Sequence, residues 1–164
     1  MHLETMPVFE KTGVDLGLGL SAGRFGAMAI EGNTSVFRKK VYSRTAFSFF
    51  NGANDFSYIN LLGKKDTLTH ASIFKGGFIQ DIAYQLPGDQ YLMASAWFQY
   101  SERDIPPTLT EEKSEAVQLD RSWRTMLLWK DYNERNTLEA KLAYFNEFTR
   151  YDDPLASVYS TIKS

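Results

Sequence analysis

A chain of 164 residues suits one domain with a sizeable core, and 43% hydrophobic content with 15% aromatic residues argues against disorder and toward sheet-rich structure. Eighteen basic against 20 acidic residues leave a formal charge of −2, which argues against nucleic acid as a partner, and the absence of cysteine removes disulfides, thiolate catalysis, zinc ribbons and iron–sulfur ligation. No run approaches the roughly 18 to 20 apolar residues of a spanning helix, and MHLETMPVFEKTG has neither the basic nor the apolar region of a secretory signal, so a signal for export is expected upstream of Met1.

Hydropathy alternates with period two through seven segments and part of an eighth, each about ten residues long and parted by polar connections. The first, residues 13 to 22, sets Val14, Leu16, Leu18 and Leu20 against Asp15, Gly17, Gly19 and Ser21. A tight turn at Gly23-Arg24-Phe25-Gly26 leads to a second segment ending about Phe37. The basic turn Arg38-Lys39-Lys40 then opens a third, Val41 to Asn51. The fourth, about 71 to 86, sets Phe74, Phe78, Ile82, Tyr84 and Leu86 against Lys75, Gly77, Asp81 and Gln85, and stops at Pro87-Gly88-Asp89, whose backbone preferences favour a turn. In the fifth, about 91 to 103, Leu92, Ala94, Ala96, Phe98 and Tyr100 oppose Met93, Ser95, Trp97, Gln99 and Ser101. The sixth, about 120 to 132, opposes Trp123, Leu127 and Trp129 to Arg124, Met126, Leu128 and Lys130, with a turn at Asn133-Glu134-Arg135-Asn136. The seventh, about 137 to 150, alternates Leu138, Ala140, Leu142 and Tyr144 with Glu139, Lys141 and Ala143. A helix does not hold that phase, so the expected fold is all-β.

Connection lengths alternate too. Short turns near 38 to 40, 87 to 90 and 133 to 136 interleave with long polar stretches at about 52 to 70 and 104 to 119. Short turns at one end, long loops at the other and strands near ten residues are the pattern of an antiparallel transmembrane β-barrel with an apolar band toward lipid and a polar lumen. Phe78, Ile82, Leu127, Leu138 and Leu142 are then expected to face lipid, and Lys75, Asp81, Arg124, Glu139 and Lys141 the lumen. Tyr84, Trp129, Tyr132 and Tyr144 fit an interfacial girdle or lipid-facing packing. A soluble lipocalin-like barrel alternates equally well with its apolar face inward.

Gly23-Arg24-Phe25-Gly26, Asn54-Asp55-Phe56-Ser57-Tyr58, Trp97-Phe98-Gln99-Tyr100-Ser101-Glu102-Arg103-Asp104-Ile105-Pro106-Pro107 and Arg124-Thr125 through Trp129-Lys130 together resemble the early barrel of TonB-dependent outer-membrane receptors, most of all cobalamin-receptor-like members from Bacteroidetes. The resemblance runs in order over nearly the whole chain. It implies about seven to eight strands of a barrel of about 22 closed around a plug domain, in the outer membrane of a Gram-negative bacterium. It also implies uptake of a scarce small-molecule ligand such as cobalamin or a siderophore, with energy delivered through TonB by way of the plug. Plug and TonB box have no counterpart in the sequence, and Ser160-Thr161-Ile162-Lys163-Ser164 lacks the terminal aromatic of complete barrels, so residues 1 to 164 are expected to be an internal piece of such a receptor.

Gly17, Gly19 and Ser21 share the expected lumen face, where a missing side chain marks either close approach of the plug or a bend or bulge in the strand. Trp97 falls on the same face beside Gln99 and is expected to contact plug or substrate. Phe56, Tyr58, Arg103 and Asp104, in or beside the long connections, are the other expected ligand contacts, because loops carried on a rigid scaffold are where binding residues concentrate.

Catalytic chemistry finds little support. Glycine spacing fits no phosphate loop, and His2 and His70 belong to no ligand cluster or triad, so neither an enzyme nor a bound cofactor is expected. His70 reads as a solvated loop residue. Glu111, Glu112 and Glu115 read as a solvated acidic loop, with Ca²⁺ binding the sharper alternative, and Asp152-Asp153-Pro154 reads as a turn. The competing functions are a complete small outer-membrane barrel serving as pore or anchor, and a soluble lipid-binding barrel.

Overall fold

The computed structural model describes residues 12–108, 111, 113–132 and 136–164. Alternation becomes strand wherever it was expected, because a period of two puts every apolar side chain of a segment on one side of the pleat. The strands are β1 (Gly13–Ala22), β2 (Met28–Arg38), β3 (Val41–Gly52), β4 (Ser57–Ile59), β5 (Lys65–Thr67), β6 (Ile73–Gln85), β7 (Gln90–Asp104), β8 (Val117–Tyr132), β9 (Thr137–Asp153) and β10 (Val158–Lys163).

Eight of them form one antiparallel meander in the order β1-β2-β3-β6-β7-β8-β9-β10, and β4 pairs with β5 in a separate hairpin. The large sheet is open, with β1 and β10 as its edges. Registers run without a break: Leu18 opposes Gly32, Phe47 opposes Phe78, Phe98 opposes Trp123, and Leu127 opposes Leu142. The unbroken pairing of Gly13–Ala22 leaves no bulge at Gly17 or Gly19.

Two expectations are corrected. The connection at 52 to 70 holds the β4–β5 hairpin, and the one at 104 to 119 is shorter, because Val117, Gln118 and Leu119 pair with Asp152, Tyr151 and Arg150.

Register carries one face across all eight strands. Phe78, Ile82, Leu127, Leu138 and Leu142 stand on one side and Lys75, Asp81, Arg124, Glu139 and Lys141 on the other. Among the described strand residues of the large sheet, the exposed large apolar side chains lie on the first face except Ile79, Trp97, Phe145, Val158 and Ile162. On this apolar face, charged residues stand only near the strand ends: Arg38 and Asp131 toward the short turns, and Glu102, Asp104, Arg121, Arg150, Asp152 and Lys163 toward the long connections. Tyr132 is corrected to the polar face, opposite Thr137, where its ring lies 6.1 Å from that of Tyr91 and 5.2 Å from the Lys130 ammonium.

A single sheet has no second layer to cover it. The buried strand residues that carry side chains, Ala83, Tyr91, Leu128 and Lys130, lie on the polar face near the short-turn ends, while on the apolar face Gly32 and Gly76 are buried beneath the rings of Phe47 and Phe49. At the opposite end Phe25, with φ of 59°, offers its carbonyl oxygen to the amides of Ala53 and Asn54 at 3.0 and 3.1 Å. This ties the β1–β2 turn to the exit of β3.

Candidate functional site on the polar face

The polar face brings charged and hydrogen-bonding side chains from six strands together, β2, β3, β6, β7, β8 and β9, since directly opposed residues and their diagonal neighbours lie within reach of long side chains. Trp97 on β7 opposes Arg124 on β8, and the guanidinium carbon sits 4.9 Å from the indole centroid. Glu147 on β9 receives Arg124 Nε at 3.0 Å, and Nη2 reaches the same oxygen. Arg124 and Glu147 keep 36% and 44% of their side-chain surface, so the pair is worth at most about 1 kcal/mol of stability and chiefly orients its members.

Toward the long connections, Arg103 donates to Gln118 Oε1 at 2.6 Å, Gln118 donates to Asp120 Oδ2 at 3.0 Å, and the Thr149 hydroxyl donates to Asp120 Oδ1 at 2.8 Å. Arg103, Asp120 and Thr149, with Lys75, Gln99, Ser101 and Ser122, line a hollow of about 370 Å³. It adjoins a larger one of about 760 Å³ walled by Glu31, Asn33, Arg44, Ser48, Lys75, Trp97 and Gln99, with Gly17, Gly19 and Gly77 also in its lining. Lys75 and Gln99 belong to both. Arg44 and Lys75 pair with no carboxylate among the described residues; Asp81, which opposes Arg44, instead accepts the Ser95 hydroxyl at 2.7 Å. Near the short turns Glu139 joins Lys130 at 3.3 Å and Lys141 at 3.0 Å.

Of the residues singled out by sequence, Trp97 and Arg103 take part in this trough. Asp104 lies apart: its carboxylate receives the Ser72 hydroxyl at 2.5 Å and stands 3.9 Å from His70 Nδ1. His70 is therefore partly enclosed rather than freely solvated, with Nε2 2.8 Å from the Ala116 carbonyl oxygen, and it joins the two long connections. Phe56 packs edge-on against Phe25 at 6.0 Å, and Tyr58 opposes Asp66 in the hairpin. The five residues do not converge on one site. His2 and Glu112 lie outside the described residues; Glu111 accepts the Thr108 amide at 2.9 Å.

Sequence reasoning passed over Arg44, Gln99 and Glu147 as site residues and gave Lys75 and Arg124 only a face. Phase within one strand gives a side, whereas their grouping depends on register between strands. No protein-family model matches the chain, and no curated protein does.

What the trough can do is hold a polar surface by many weak contacts: two cations without an ion-pair partner among the described residues, an amide, an indole and the uncovered backbone at Gly19. Among the described residues no hydroxyl of this face stands beside a histidine, since His70 is engaged with Ala116 and Asp104 in the long connections.

Proposed function

We propose that this chain is part of the wall of an outer-membrane β-barrel, and specifically the early barrel of an active-transport receptor of the TonB-dependent kind. The observation that carries the barrel reading is the single apolar band on one face of an open eight-stranded meander. Arg121 and Asp131 bound it on β8; the ten residue steps from one to the other span about 34 Å of strand, or about 25 Å across a bilayer at a tilt near 40°. Exposure of Leu16, Leu18 and Leu142 at 80%, 71% and 71% is stable against lipid and unfavourable against water.

Two further features favour a wall over a complete small barrel or a soluble one. Among the described residues no strand pairs with either edge of the sheet, which suits continuation into further strands. The buried strand side chains, those of Ala83, Tyr91, Leu128 and Lys130, belong to the polar face, the reverse of a lipocalin-like interior. The receptor reading rests on the resemblance of the Gly23–Gly26, Asn54–Tyr58 and Trp97–Pro107 stretches, with the trough facing the plug and a small ligand such as cobalamin or a siderophore held by the outer loops.

Refolding the chain into detergent micelles and then vesicles, with heat-modifiability on a gel and solute leakage as readouts, tests this. A wall segment gives no compact heat-modifiable monomer and no size-selective leak. A heat-modifiable monomer passing small solutes would overturn the proposal and establish the eight-stranded pore.

A further inference from the structure

The β4–β5 hairpin carries an apolar tip that no packing in the fold accounts for. Ile59, Leu61 and Leu62 are 68%, 73% and 80% exposed, in a turn, where small polar residues are the usual choice. The tip is nonetheless closed by its own hydrogen bonds. Asn60 Oδ1 accepts the amides of Leu62 and Lys64 at 3.0 Å each, the Asn60 amide donates to the Lys64 carbonyl at 2.9 Å, and Gly63 closes the turn at φ 72°. Its base is fixed by the Leu68 amide on the Phe56 carbonyl at 2.9 Å and by Asn54 Nδ2 on the Ala71 carbonyl at 3.0 Å.

Beside the leucines stand Lys64 and Lys65, neither of which pairs with a carboxylate among the described residues; Lys65 opposes Ile59 in the hairpin. Apolar side chains that project next to cations describe a surface matched to the boundary of an anionic bilayer, where leucines enter the acyl region and ammonium groups meet phosphates. A lysine stem lying along Ile59 can keep its charge at headgroup level while its methylenes go deeper.

We propose that the β4–β5 hairpin is an interfacial anchor that inserts Leu61 and Leu62 into the headgroup–acyl boundary of an anionic membrane and places Lys64 and Lys65 on its phosphates. This rests on the reading that the apolar face of the large sheet lies in a bilayer, and the test separates the two.

The chain has no cysteine, so Leu62→Cys and Leu142→Cys each accept a single nitroxide. Collision with oxygen and with a water-soluble nickel chelate is then measured in vesicles of zwitterionic lipid with and without about one third phosphatidylglycerol. The expected result is a Leu142 label deep in lipid and a Leu62 label at interfacial depth. The Leu62 label should withdraw to water when the anionic lipid is omitted, with the immersed fraction falling about fivefold for Lys64→Glu and again for Lys65→Glu. A Leu62 label in water while the Leu142 label is in lipid overturns the anchor alone and leaves the tip for a protein partner. Both labels in water overturn the anchor and the bilayer reading together. A Leu62 label equally immersed with or without anionic lipid overturns the role given to the lysines.

Discussion

Gly77 shows how closely β6 and β7 run: a Cβ there would stand 2.8 Å from the Phe98 carbonyl oxygen, backbone that cannot swing aside. Gly77→Ala is expected to cost about 1–3 kcal/mol through overpacking. Gly19, where the nearest atom to an added Cβ is 3.9 Å away, should accept alanine with little change, and urea titration of the lipid-reconstituted chain compares the two. Gly17 is different again. Asn33 already folds over it, with Nδ2 2.7 Å from the position of a Cβ, so the space that sequence reasoning assigned to a plug or a bend holds a side chain of the neighbouring strand. The two faces predict an asymmetry between adjacent residues of β9. Leu142→Arg, on the apolar face, is expected to cost about 2–4 kcal/mol near the midplane of a bilayer. Lys141→Arg, which keeps the charge facing Glu139, should be close to neutral in the same refolding measurement.

At the scale of elements, the long connections are held to one another more firmly than their polar composition suggests. The Asp104 amide donates to the Ser72 carbonyl at 2.9 Å, the Ile105 amide to the Ala116 carbonyl at 2.8 Å, and the Ser114 hydroxyl to the Ile105 carbonyl at 2.6 Å. Asp104→Ala removes the acceptor of the Ser72 hydroxyl, and the Ile105 amide should exchange its hydrogen about fivefold faster, the effect of about 1 kcal/mol. Amides in the middle of β7 should not change; exchange that spreads along the strand would show that the contact stabilises the sheet as a whole.

The same elements show what a sequence can reveal. Strands β1, β6, β7 and β9 were legible because seven or more alternating positions state a phase clearly, and a shift by one residue would invert both faces. The three-residue strands β4 and β5 offer no such run, and the start of β8, Val117 to Leu119, is only three residues with polar Gln118 between its apolar members, too short to stand out from the polar stretch before it. The Arg124–Glu147 pair and the Trp97 contact were hidden for another reason: they depend on which residues of β7, β8 and β9 stand opposite one another.

For the molecule as a whole, the open edges set its behaviour. β1 presents a row of backbone groups without a partner strand beside Val14, Leu16, Leu18 and Leu20, an arrangement that invites another chain to pair with it. Within a bilayer no water satisfies those groups, so the chain alone is expected to associate through its edges, and sizing in detergent should show oligomers rather than a single monomer peak. Replacing Leu16 and Leu18 by lysine discourages edge pairing and should shift the distribution toward smaller species.

The central claim is that one face of the sheet meets lipid and the other does not. Nitroxide accessibility to oxygen, scanned over residues 137 to 144 after reconstitution in vesicles, tests it most directly. The account predicts maxima at Leu138, Ala140, Leu142 and Tyr144 and minima at Glu139, Lys141 and Ala143. A profile without a two-residue period, or one with its maxima on the lysine side, would contradict it.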